Sequence, residues 1–137
     1  MITLEEYVGV HACSRDWTPE RQDNADALLL CVQALQDEMQ VAGIDFLINP
    51  HTESCISGQT FGGFRPQDCP QGAPNSSHKD GQAVDLYDPH GDIDAWLMEH
   101  VDRLEAHGLY MEHPSATNGW SHWTTRAPGS GHRVFYP

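Results

Sequence analysis

The segment Ser76–Asp85 reads SSHKDGQAVD and runs into a short apolar stretch, AVDLY, at Ala83–Tyr87. Successive side chains of a β-strand point to opposite faces of a sheet. Val84 and Leu86 would therefore face one side and Asp85 the other, which is the pattern of a half-buried strand. The sequence thus predicts a strand that holds one carboxylate in a fixed position, opposite its apolar face.

A histidine stands in the polar loop before this strand. His78 precedes Asp85 by seven residues, and Gly81 removes a side chain where the chain between them must turn sharply. Imidazole and carboxylate groups are both good zinc ligands, and a site with three protein ligands leaves one position for water. The segment therefore predicts two ligands of a metal site that still needs a third.

The best candidate for the third ligand lies further along the chain, in the sequence GWSHWT at Gly119–Thr124. If this stretch is a strand, His122 points to one face and Trp123 packs on the other. Pairing of this strand beside the strand of Asp85 would bring His122 and Asp85 together with His78. From spacing alone, a histidine between tryptophans is also compatible with a packing role.

Length and composition set the broad class. The chain has 137 residues and a hydrophobic fraction of 39%, which suits one domain, 1–137, with a true core. Seven Lys and Arg against 20 Asp and Glu give a formal charge of −13. Such an acidic chain is not expected to bind nucleic acid or an anionic membrane. We expect a monomer with a solvated acidic surface.

The four cysteines form no C-x-x-C pair, so a thiolate zinc site is not expected. Cys31 lies in an apolar helical run and is predicted to be a buried thiol. Cys55 and Cys69 flank a loop and would form a disulfide only in an oxidising compartment. Because Met1 leads directly into ITLEEY, no signal peptide is recognisable. Synthesis in the cytoplasm with reduced thiols is therefore the expectation.

Three helices are predicted from apolar spacings and capping residues. Thr3 and Glu6 form a capping box. Apolar residues at intervals of three and four mark two longer helices, the first ended by Gly43 and the second capped by Asp92 and stopped by Gly108. The predicted helices span residues 4–8, 25–42 and 93–107.

Strands are predicted around these helices, and the sum is an α+β domain. The predicted strands span residues 44–49, 83–87, 109–112, 120–124 and 133–136. The segments 9–24 and 51–75 are predicted as loops, and a loop as long as the second is usually functional or mobile. The acidic turn with Asp88, Asp92 and Asp94 lacks the spacing of a calcium loop, so helix capping is the better interpretation. We expect a small antiparallel sheet with helices packed on one face.

The motif SSHKDGQAVD resembles the pattern S-x-H-x-x-G-x-A-x-D of the zinc D-alanyl-D-alanine peptidase family. That family includes bacterial carboxypeptidases and phage lysins that cut peptidoglycan, and its fold is related to the signalling domain of hedgehog proteins. The resemblance runs from about Phe61 onward. It includes GFRP at Gly63–Pro66 and the aromatic-flanked histidine in WSHW, and the ending TTRAPGSGHRVFYP is similar to small single-domain phage and prophage members.

The resemblance implies a hedgehog-like fold and a Zn²⁺ site with His78, Asp85 and His122 as ligands. It implies hydrolysis of peptide bonds in peptidoglycan stem peptides by a zinc-activated water, as a D-Ala-D-Ala carboxypeptidase or an endolysin-type endopeptidase. Arg65 would contact the substrate carbonyl or carboxylate, or else form a surface salt bridge. Ser76 would hydrogen-bond near the site, hold the His78 loop and contribute to substrate binding, or else only cap a turn.

The chain departs from the family at the general base. Many members carry a glutamate three residues before the last histidine ligand, where this chain has Gly119. Glu112 is the nearest upstream carboxylate and is predicted to be the base, with His113 as a weaker candidate. The alternative is a non-catalytic zinc module that binds cell-wall peptide or forms part of a virion. Whether peptidase or binding module, the protein would reach the cell wall after release by lysis or inside a virion.

Overall fold

The alternating run at residues 83–87 forms the first strand of a four-stranded sheet in the computed structural model, which describes residues 1–137. The helices are α1 (Leu4–Val8), α2 (Pro19–Val41), α3 (Asp92–Glu99) and α4 (Val101–Ala106), and the strands are β1 (Ala83–Tyr87), β2 (Tyr110–Glu112), β3 (Trp120–Thr124) and β4 (Val134–Phe135). Short 3-10 turns occupy Gly9–His11, Ser77–Asp80 and Pro114–Ala116. None of the helices combines the length and apolar character needed to cross a membrane.

The α+β class is confirmed, but the predicted antiparallel sheet is in fact mixed. The strand order is β1-β3-β2-β4, and β3 pairs antiparallel with both of its neighbours. The last strand, β4, instead pairs parallel with β2. The chain crosses over after β3 and returns along the open edge of β2, where the N–H groups of Met111 and His113 donate to the carbonyls of Arg133 and Phe135.

One apolar cluster of 19 buried residues joins the helices to one face of the sheet. The strands contribute Val84, Leu86, Met111 and Trp123, and α2 contributes the predicted stripe with Leu28, Val32, Leu35 and Met39. Because side chains alternate along strands, burial of this face leaves Asp85, Glu112 and His122 together on the other face. The core therefore determines which side chains are available for a site.

The long helix α2 begins at Pro19, so the predicted loop over 9–24 is wrong at its C-terminal end. Pro19 stands at the first helical position, and the side chain of Thr18 accepts a hydrogen bond from the N–H of Arg21. Proline loses no helical hydrogen bond there, and threonine is a good N-cap. These two local signals outweigh the polar composition of the first turns.

The predicted strand over 44–49 is also wrong, since only Asn49 makes a single bridge, to Ser54. The segment packs as irregular chain with Ile44 and Phe46 against the core. The loop that follows it lies along the edge of β1 that does not pair with β3. Ser57 N–H donates to the Asp85 carbonyl at 2.8 Å, and Asp85 N–H donates to the Gly62 carbonyl at 2.7 Å.

The predicted helix over 93–107 is interrupted at His100, whose backbone (φ −134°, ψ 47°) is not helical. Its N-terminal cap is also different from the prediction. Asp92 is the first helical residue, while the carboxylate of Asp88 accepts from the N–H groups of Ile93 and Asp94, each at 3.1 Å. This arrangement agrees with the capping interpretation of the acidic turn.

The cysteines carry free thiols. Cys55 and Cys69 are buried without a bond between them, and Cys31 is half-buried rather than fully buried as predicted. Gln36 donates from Nε2 to the Cys55 sulfur at 3.4 Å. Burial raises the pKa of the Cys55 thiol, so this group stays protonated and packs as part of the core.

An ion pair between α2 and α4 gives a prediction for acid stability. Arg103 donates from Nε to Glu38 at 2.8 Å, and this contact lowers the pKa of Glu38 from 4.5 to about 2. The resulting stabilisation is present above pH 4.5 and is lost as the pH falls toward 2. Glu38→Gln should lower the free energy of unfolding at pH 7 by about 0.5–1 kcal/mol, since the pair is partly exposed.

The difference between Glu38→Gln and wild type should shrink steadily in urea titrations between pH 4.5 and 3. Glu105→Gln, at an exposed position on the same helix as Arg103, is the matched control and should show no such trend. A difference that stays constant across this range would contradict the assigned ion pair.

Candidate metal centre

Three buried side chains meet on the polar face of the sheet. Asp85 on β1 lies directly opposite His122 on β3, and His78 reaches them from the 3-10 turn before β1. Asp85 Oδ1 lies 2.8 Å from His122 Nδ1 and 3.2 Å from His78 Nε2, and the two nitrogens are 3.3 Å apart. The structure thus brings together the three ligands predicted from the sequence.

Two of these three separations fit a tetrahedral zinc ion. Two ligand atoms about 2.0–2.1 Å from zinc at the tetrahedral angle lie about 3.3 Å from each other. Both contacts of His78 Nε2 have this length, whereas the contact between Asp85 and His122 is a direct hydrogen bond that a metal would replace. Two imidazoles and one carboxylate are a zinc-type donor set with room for a further ligand.

His78 is held in a defined tautomer by the backbone. Its Nδ1–H donates to the carbonyl of Gly63 at 2.8 Å, which leaves Nε2 without a proton and directed at Asp85. The turn that carries it is capped by Ser76, whose Oγ accepts from the His78 N–H at 3.3 Å. The contact of Ser76 is therefore turn capping, although the residue also lines the cavity beside the ligands.

Arg65 holds the other oxygen of the ligand carboxylate. Its Nη2 donates to Asp85 Oδ2 at 3.1 Å, and its Nε donates to the Phe61 carbonyl at 2.7 Å. Both side chains of the pair are only 12% exposed, so this is a largely buried salt bridge within the site. Arg65 thereby leaves Oδ1 for the metal position.

Glu112 is the carboxylate next to the three ligands. Its Oε1 lies 3.8 Å from His122 Nε2, too far for a hydrogen bond, and its side chain lines the same cavity as His78 and His122. His113, the weaker candidate for a base, instead hydrogen-bonds to Ser115 and does not line this cavity.

The protonation states are set by burial and by mutual contact. Burial lowers the pKa of His78, which favours the neutral imidazole. Burial alone would raise the pKa of Asp85, but His78 and His122 outweigh it and hold that pKa well below its ordinary value. Burial would lower the pKa of His122, yet the hydrogen bond to Asp85 raises it overall. Metal binding would therefore displace a proton from His122.

Sequence reasoning missed the main-chain partners of the site. The carbonyls of Phe61 and Gly63 orient Arg65 and His78, and a backbone oxygen has no residue-type signal. The GFRP motif marks only their neighbourhood. A Cβ on Gly63 would lie 2.1 Å from the Tyr7 carbonyl, so the absence of a side chain allows this close approach.

Comparisons with protein-family models, with curated proteins and with solved structures give no significant match. The resemblance to zinc peptidases thus stays a prediction from the motif, and the interpretation of the site depends on its geometry.

Removal of one ligand should abolish metal binding. His122→Ala or Asp85→Ala should reduce bound zinc from about one equivalent to near zero by elemental analysis, since two ligands cannot complete the site. The rise in melting temperature on zinc addition should disappear with it; this rise corresponds to about 4 kcal/mol at 1,000 times Kd. The exposed His132→Ala is the matched control, and unchanged zinc content in both ligand variants would contradict the assignment.

Gly81 should be essential for the turn that carries His78. Its φ is +74°, and a Cβ there would lie 2.5 Å from the Arg21 carbonyl on α2. Gly131 has nearly the same φ, +75°, with open space around it. Gly81→Ala should therefore cost about 1–3 kcal/mol more than Gly131→Ala in urea unfolding and should weaken zinc binding. Equal costs would show that the close approach is unimportant.

Proposed function

We propose that the chain is a zinc-dependent metallopeptidase that hydrolyses peptide bonds in peptidoglycan stem peptides. One observation carries the proposal: the donor atoms of His78, Asp85 and His122 lie 2.8–3.3 Å apart in a cavity of about 350 Å³ that also contains the carboxylate of Glu112. A metal ligand set beside an unused carboxylate is the arrangement that hydrolysis by a metal site requires.

The ligands are held by contacts that fix their orientation before any substrate binds. Gly63 fixes the imidazole of His78, and Arg65 fixes the carboxylate of Asp85. Such contacts around a metal site determine ligand orientation and basicity. Bound zinc would supply polarisation of the substrate carbonyl and a lower pKa for water.

Glu112 is the proposed general base. Its side chain is 20% exposed, so the carboxylate reaches the cavity while standing on a strand. In this role it takes a proton from the attacking water and passes it to the leaving amine. A base on a strand is positioned more rigidly than one on a loop. Glu112 can thus serve in place of the glutamate that many family members have where this chain has Gly119.

Arg65 is proposed to contact the substrate as well as Asp85. Its Nε and Nη2 are used within the protein, whereas Nη1 has no protein acceptor. Because Arg65 lines the cavity, this remaining group can donate to a substrate carbonyl. Trp120 and Phe135 supply apolar walls beside it. The preference for cell-wall peptides is supported by the motif resemblance.

A non-catalytic zinc module is the second candidate, and one contact favours it. Glu112 Oε1 faces Nε2 of His122, the ring nitrogen that does not face the other ligands. A carboxylate at this position can orient a ligand histidine rather than act on water. In that case Glu112 would stabilise zinc binding and the protein would hold wall peptide without cutting it.

Replacement of Glu112 by glutamine separates the two functions. Glu112→Gln should keep one equivalent of zinc and lose at least about 100-fold in the rate of wall-peptide hydrolysis, because an amide cannot accept the proton. Glu99→Gln, at an exposed position, is the control and should keep both. Zinc-loaded wild-type protein that releases no peptide from any purified peptidoglycan would overturn the peptidase proposal in favour of the binding module.

A further inference from the structure

Two cavities meet at the metal centre. One, of about 410 Å³, runs along the loop 57–62 and is here named the loop arm. The other, of about 350 Å³, contains the histidine ligands and is named the histidine arm. Arg65, Asp85 and Trp120 line both arms. Because the arms share these side chains, they form one trough that passes across the site instead of a pocket that ends there.

The outer ends of both arms reach the protein surface. Gln59, Thr60 and Gln71 are exposed at the end of the loop arm, and Gly72 and Ala73 are exposed in the histidine arm. An enzyme that removes a single terminal residue needs a closed end one residue beyond the bond it cuts. On either side of Asp85 the trough is instead lined in part by exposed residues, as expected of a groove through which a chain can pass.

The trough offers few cationic side chains to a terminal carboxylate. A cation is the strong partner for a carboxylate, and Arg65 is the only lysine or arginine that lines either arm. Two of its three guanidinium nitrogens already donate to Phe61 and Asp85, which leaves Nη1. The charge of bound zinc would be offset by the carboxylates of Asp85 and Glu112, so a peptide terminus would meet one free donor and no cationic pocket.

The loop arm is instead lined by groups suited to a peptide backbone. Apart from Arg65 and Asp85, its polar side chains are neutral: Ser57, Gln59, Thr60 and Gln71. Hydroxyl and amide groups donate and accept hydrogen bonds without requiring a charged partner. Such a lining matches the amides of a continuing chain.

We infer that the site takes the interior of a peptide, with residues of the substrate in both arms, and that the protein is therefore an endopeptidase and not a carboxypeptidase. The cleavage itself rests on the proposed function, whereas the mode of binding does not. Water adds across an internal amide bond, which gives one new carboxylate and one new amine on fragments of more than one residue.

The first test is product analysis with the full zinc-loaded chain. Purified cross-linked peptidoglycan and the free pentapeptide L-Ala-γ-D-Glu-L-Lys-D-Ala-D-Ala are incubated separately with the protein and analysed by mass spectrometry. The expected products are fragments of two or more residues with new amino termini. Release of free D-alanine as the sole product would overturn the inference.

The second test measures binding and does not depend on hydrolysis. Zinc-loaded Glu112→Gln is titrated with the same pentapeptide as the free acid and as its carboxamide. A trough for internal segments should bind the two within about threefold, whereas a site for a terminal carboxylate should prefer the acid by about tenfold or more. Preference for the acid, or binding of neither form, would overturn the inference. Equal binding without cleavage by wild type would reject only the proposed hydrolysis.

A blocking variant tests the loop arm directly. Gln59→Trp places a large ring at the exposed end of this arm, and Gln40→Trp makes the same change at an exposed position on α2. Affinity for the pentapeptide carboxamide should fall about tenfold in the first variant and stay unchanged in the second. Equal affinity in both variants would show that substrate does not occupy the loop arm.

Discussion

The carboxylate of Asp85 is the group on which the site depends. Its Oδ1 lies between the two histidines, and its Oδ2 accepts from Arg65. Burial of an unpaired carboxylate would cost several kcal/mol, so the donors of His122 and Arg65 are needed to keep the charge inside the protein. The contact of Arg65 holds the GFRP segment against the sheet, and the Gly63 carbonyl of that segment orients His78 beside it.

Both backbone hydrogen-bonding groups of Asp85 have partners, as its side chain does. One edge of β1 pairs with β3, and the other edge bonds to Ser57 and Gly62. An irregular loop therefore closes an edge that would otherwise be unpaired, and it is anchored at the residue that carries the ligand. As a result, the long segment that composition alone describes as a loop is ordered around the site.

The sequence was most informative where local pattern and burial agree. The alternation of apolar and polar residues predicted β1 at 83–87 and β3 at 120–124, with His122 opposite the core. The structure has both strands with these bounds. It was least informative where distant segments compete for the same edge. Nothing in IDFLIN indicates that residues 55–62 occupy the edge of β1, and nothing in the last strand indicates a parallel partner. The main-chain carbonyl of Gly63 is likewise invisible in residue types.

The loop along β1 places packing residues and exposed cavity-lining residues only a few positions apart. Gly62 bonds to β1, and a Cβ there would lie 2.2 Å from the Ser57 carbonyl, so its small size is required by packing. Gln59 and Thr60 between them are exposed, and their side chains make no hydrogen bond within the protein. The wall of the loop arm can therefore change its surface chemistry at these two positions while the backbone that holds Asp85 stays in place. The proposed peptide contacts and the packing that holds Asp85 thus use different residues of one loop.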